Sequence, residues 1–247
     1  MQHLCSSKSL TKFGVGILVG SDRNLQSAIA FLFMVAIALW SLLIAKTIKF
    51  CHSGNDTELK VMTTAIPSSL TLEEFLILPE TKPASEFIGG RIHQKPMPQG
   101  KHSRLQLKFC DAVNEVAETP RIALAFPELR CTFGDRSIVP DASVFLWERI
   151  PFEADSEVPN AFAIYPDWTV EILSPEQRAT KVISNILHCL KYGTGLGWLI
   201  DPDERLILAF IPGQEPVELT GSDRLPIPKF LTLDLTVDRI FGWLKVG

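Results

Sequence analysis

Hydrophobic and polar positions along the chain fall into two periods, one of strands and one of helices. Short β-branched or aromatic runs at 122–126, 129–133, 168–173, 196–200 and 206–211, with another after Asp141, predict strands. Leu105, Phe109, Val113 and Val116 recur at helical spacing, as do Ile183, Ile186, Leu187 and Leu190, and near the end Val237, Ile240, Phe241 and Leu244. Thr71 followed by Glu74 marks a capped helix start, and Gly89-Gly90 between two short runs marks a hairpin. Ser174, Pro175 and Gln177 have the cap, first-turn and third-position chemistry of another helix start, with Gly193 suited to its end. Strand 168–173, that helix and strand 196–200 in sequence predict a parallel crossover. The elements therefore predict an α/β (α+β) fold.

The opposite face of the helix after Ser174 carries Gln177, Lys181, Ser184, His188 and Lys191, which reads as a solvated polar stripe. Between the two most apolar strand runs lies a connection of about 20 residues, 146–166, longer than most in a compact domain. It reads either as a flap or as a plain solvated loop.

Composition changes this picture mainly at the N-terminus. Residues 28–45 carry no charge over 18 positions, about the least that spans a bilayer. Basic residues flank the segment on both sides and give it no orientation. It is a membrane anchor, a buried core helix, or a stretch upstream of a true start at Met62, after which the chain begins MTTAIPSSLTLEEFL. The expected division is an extension over 1–61 and a folded domain over 62–247. Hydrophobic residues make up 46% of the chain, enough for a substantial core. Residues 62–247 carry a net charge of −7, which disfavours broad nucleic-acid binding but is compatible with a local basic cleft. The five cysteines are scattered, with no Cys-x-x-Cys pair, and read as free thiols of a reducing compartment. The cytoplasm is the expected location, with membrane anchoring through 28–45 as the alternative.

Two carboxylates carry the candidate chemistry. Asp141 follows Pro140 at the head of an apolar run, and Glu171 lies inside Trp168-Thr169-Val170-Glu171-Ile172-Leu173. A buried strand rarely holds a carboxylate without a partner. Alternation puts Thr169, Glu171 and Leu173 on one face and Trp168, Val170 and Ile172 on the other. If the two strands are neighbours, both carboxylates converge on one divalent cation such as Mg²⁺, which favours one or two carboxylates plus waters and phosphate oxygens. The plainer reading is a turn Asp and an edge-strand Glu facing solvent.

The segments FIGGRIHQ, VPDASVF, PDWTVEILSP, TKVISNILHCLKYG and GWLIDPDE, with the helix after His102, together resemble the Uma-two family of restriction-endonuclease-like proteins over about 62–247. The resemblance implies the PD-(D/E)xK nuclease fold, a mixed sheet flanked by helices, with Mg²⁺-dependent (or Mn²⁺-dependent) cleavage of phosphodiesters. It implies nucleic acid, DNA first, as partner, and a homodimer as candidate assembly. By motif, Asp141 and Glu171 resemble the metal-binding acids. Leu173 stands where the motif has lysine, and it cannot hydrogen-bond a phosphate. Lys181 is the expected substitute, with Gln177 one turn before it; Glu86 and His102 match positions near the family's site. The competing reading, favoured by Leu173 and by the acidic balance, is a binding or scaffold module that keeps the fold without catalysis.

Overall fold

The computed structural model describes residues 70–246 apart from Glu176. The apolar segment 28–45 and the boundary at 61/62 lie outside the described residues. Among the described residues, no helix is long and apolar enough to cross a membrane.

The chain enters through a short helix, α1 (Leu72–Leu76), closed at its start by the Thr71–Glu74 capping box. The hairpin β1 (Ser85–Ile88) and β2 (Arg91–Gln94) follows, turned by Gly89 and Gly90, both at positive φ as a two-residue hairpin loop requires. Helix α2 (Gly100–Ala117) leads to strands β3 (Ala123–Pro127), β4 (Arg130–Phe133), β5 (Arg136–Ile138) and β6 (Ala142–Leu146). The long connection is only partly irregular. It holds one 3₁₀ turn (Trp147–Arg149) and a two-residue strand, β7 (Ala161–Phe162), that pairs in parallel with β4. Then come β8 (Trp168–Ile172), α3 (Ala179–Tyr192), β9 (Leu196–Asp201), β10 (Leu206–Phe210), β11 (Val217–Thr220) and α4 (Val237–Gly242).

The strands form two sheets. One, of six strands, runs β11-β10-β9-β8-β6-β3; the other, of five, runs β2-β1-β5-β4-β7. The β8–α3–β9 crossover is parallel, as the sequence predicts, and β9–β10 is its antiparallel hairpin. Alternation along β8 sets the layers. Trp168, Val170 and Ile172 join Leu105, Phe109 and Val113 of α2 and Ile240 and Phe241 of α4 in one core. Phe109 meets Trp168 edge-on at 4.8 Å between centroids, and each such buried aromatic contributes roughly 1.5–3 kcal/mol by burial. The other face of the sheet packs on α3 through Leu199, Phe210, Val182 and Ile186. Cys189 of α3 joins a third cluster with Phe133 and Ile138 of the second sheet.

Helix α3 departs from its sequence reading in two ways. It begins at Ala179 rather than just after Ser174, because Leu173 N–H donates to Ile200 O (2.8 Å) and prolongs the strand pairing. Ser174 and Gln177 then close a turn, with Gln177 N–H on Ser174 O (2.9 Å). Nor is the polar stripe solvated throughout. His188 is buried, stacked on Phe133, and shares a 3.2 Å hydrogen bond between Nε2 and Phe133 O, while Leu187 faces solvent. The second sheet covers this face and supplies polar partners there.

Gly197 of β9 sits directly beneath α3, where an added Cβ would lie 2.4 Å from Ile186 Cγ2. Gly197→Ala is therefore expected to lower unfolding free energy by about 1–3 kcal/mol through overpacking. Urea denaturation checks this; an unchanged midpoint would mean α3 shifts without cost.

Candidate active site

The pairing of β6 with β8 runs through Ala142–Val170 and Ser143–Thr169, so Asp141 lies one step beyond, level with Glu171. Both carboxylates are almost completely buried, at 1% and 2% exposure. The edge-strand and turn readings of the sequence are thereby replaced by a paired buried site.

Both carboxylate oxygens of Asp141 have partners. Its Oδ1 accepts from Lys95 Nζ at 2.5 Å; its Oδ2 accepts from Ile172 N–H at 2.6 Å and lies 3.0 Å from His102 Nε2. Gln106 Nε2 donates to the Asp141 carbonyl at 2.7 Å. Burial alone would raise this carboxyl, but the Lys95 ammonium and His102 outweigh it and hold the group down at about 2. Lys95 also donates to Val139 O at 2.7 Å. Burial would weaken its charge, yet Asp141, Glu171 and Glu86 together push its pKa above the usual lysine range. Glu171 has the opposite fate. Burial first, and then the Asp141 charge, raise its carboxyl well above the ordinary value, and its Oε1 is buried with no hydrogen-bond partner.

Glu86, which the resemblance puts near the site, is buried in β1 beside this pair. Its Oε1 accepts from Val139 N–H and from Asn185 Nδ2, both at 3.1 Å, and its Oε2 lies 3.3 Å from Lys181 Nζ. Lys181, in the first turn of α3, thus reaches Glu86; Lys95 is the lysine on Asp141. His102 is the third residue of α2, turned inward onto Asp141. Gln177 Oε1 lies 3.4 Å from Ser174 N and stands at the rim of a cavity of about 780 Å³. Leu173, in the motif's lysine position, packs with the apolar residues of α3.

Lys95 is the residue that sequence reading passed over, because it opens the Pro-rich KPMPQG stretch. A signal was nevertheless there. Glu86 pairs with His93 across the hairpin, and Lys95 N–H still bonds Ala84 O (2.9 Å), so alternation puts Lys95 on the same face as His93, opposite Glu86.

The sequence profile of one family, described as "Putative restriction endonuclease", matches residues 72–238. The chain belongs to that family, Uma-two. Among solved structures, one described as a "putative nuclease belonging to DUF820 from Anabaena variabilis" is 56% identical, with a TM-score of 0.70, covering 71% of this chain and 99% of that one. No curated protein matches. The Uma-two membership and this neighbour support a nuclease and bear out the mixed fold expected from the resemblance.

A divalent cation is the group a Uma-two nuclease implies. Among the described residues no three His, Cys, Asp or Glu side chains are grouped closely enough to hold one. Mg²⁺ asks for less, since one or two carboxylates suffice when water and phosphate complete its shell. The Asp141–Glu171 pair fits that demand, because the Oε1 of Glu171 is buried level with Asp141 and has no hydrogen-bond partner.

Proposed function

We propose that this chain is a Mg²⁺- or Mn²⁺-dependent DNA endonuclease in which Asp141 and Glu171 hold the cation. The observation that carries this reading is the unpartnered Glu171 Oε1 buried beside Asp141. A cation there supplies Lewis-acid stabilisation of charge at the phosphoryl group. The chain's own residues do the rest. Ile172 N–H and His102 fix the direction of the Asp141 carboxylate, and Gln106 fixes its backbone. Lys95 and Lys181 bring two ammonium groups to the cluster, one from each side, in place of the lysine absent at 173. Their charge opposes the negative charge that gathers on phosphate oxygens during attack. Glu86 holds Lys181 in place, and burial excludes bulk water, which strengthens every one of these interactions.

Glu171→Gln tests the reading cleanly. Burial and the Asp141 charge both oppose ionisation of Glu171, so an isosteric amide should leave metal-free stability close to wild type. The rise in melting temperature on adding Mn²⁺ should disappear. If the wild-type chain shows no such rise, the cation-binding role fails. That result would favour the second reading, a non-catalytic module of the same fold, which Leu173 at the motif lysine supports.

A further inference from the structure

The 780 Å³ cavity that Lys95 and Lys181 help to line has further wall residues that the proposed chemistry does not use. It lies between β2 and the start of α3, with His93, Gln94, Lys95, Gln177, Arg178 and Lys181 on its wall. Among its described lining residues three are cations and none is acidic, although residues 62–247 are acidic as a whole. Lys95 and Lys181 are committed to Asp141 and Glu86. Arg178 is exposed and has no side-chain hydrogen bond or ion pair among the described residues. An arginine presented to a cavity in this state is ready to take a phosphate through its fork of N–H donors.

Volume and charge also limit what can enter. Pockets of roughly 300–1,000 Å³ suit small ligands, which leaves room for a few nucleotide-sized groups and not for a double helix. A duplex presents two charged backbones, and binding it draws on basic surface for both. Here a cation-lined cavity interrupts an acidic chain, and the carboxylates that its wall residues Lys95 and Lys181 contact, Asp141 and Glu86, are only 1–2% exposed.

We propose that a single phosphodiester strand enters through this cavity, with Arg178 holding a phosphate next to the one that reaches Asp141 and Glu171. The proposal rests on the nuclease reading and names its substrate as single-stranded nucleic acid, free or at a frayed end. Arg178 is a positioning residue, so its loss should act on binding and KM and spare kcat.

Fluorescence anisotropy of the full chain in EDTA, with a 16-nucleotide single strand of mixed sequence and its blunt duplex, provides the test. The single strand should bind at least tenfold more tightly. Arg178→Gln should weaken it roughly 3- to 10-fold and reduce the salt slope by about 0.7, the share of one phosphate on a single strand. Lys101→Gln, on an exposed residue outside this cavity, should leave that slope unchanged. Equal or tighter duplex binding overturns the single-strand assignment, and an unchanged slope in Arg178→Gln overturns the role of Arg178. If neither nucleic acid binds, the nuclease reading itself falls and takes this proposal with it.

Discussion

Lys95→Met is expected to be the most destabilising single substitution at the site, lowering unfolding free energy by about 3–5 kcal/mol. Lys95 and Asp141 form a buried ion pair at 2.5 Å, with side chains 7% and 1% exposed, so water can do little for the carboxylate once the ammonium is gone. His102 and Ile172 N–H remain, but neither restores the full charge balance. In a domain of this size the loss corresponds to a fall in melting temperature on the order of 10 °C. Mn²⁺ should recover part of it, because a cation between Asp141 and Glu171 does electrostatically what the ammonium did. The double variant with Glu171→Gln should show no recovery. Melting at the wild-type temperature would mean that Asp141 is neutral in the folded chain and that the pair contributes nothing.

Lys181→Met is expected to reduce metal-dependent cleavage by roughly 10²–10³, the usual effect of removing one preorganised contact to transition-state charge. The fold should tolerate it, since Glu86 keeps its hydrogen bonds from Val139 N–H and Asn185. Lys191→Met offers the control: that residue is exposed and lies ten residues, about 15 Å, further along the helix. Cleavage of denatured plasmid DNA in Mn²⁺ measures both. If Lys181→Met cuts at the wild-type rate, Lys95 alone supplies the missing lysine; if Lys191→Met is the variant that fails, the active end of α3 has been misassigned.

The strands and helices were legible because their periods are clean, and the carboxylates because each interrupts an apolar run. Glu171 in the middle of β8 is the clearest case, since alternation alone separates it from Trp168, Val170 and Ile172. What the sequence concealed was set by contacts between distant segments. Ser174-Pro175 has the chemistry of a helix start, but a bond from Leu173 to Ile200 keeps the chain in the sheet for longer. His188 looks solvated because nothing local says that Phe133 will cover it. Lys95 looks like a loop lysine for the same reason: its value depends on Asp141, 46 positions later in the chain.

The β1–β2 hairpin bears on how such a protein can change length over evolutionary time. Glu86 stands on β1 and Lys95 one residue past β2, and both point inward only because the turn at Gly89-Gly90 has two residues and the pairing stays in register. Inserting or deleting a single residue between Gly90 and Lys95 would invert the side chains beyond it, carrying the ammonium away from Asp141 and leaving a buried charge unbalanced. The irregular stretch between Arg149 and Ala161 bears no such constraint. Gene variants that gain or lose codons should therefore accumulate there, while the hairpin keeps its length even where its individual residues drift.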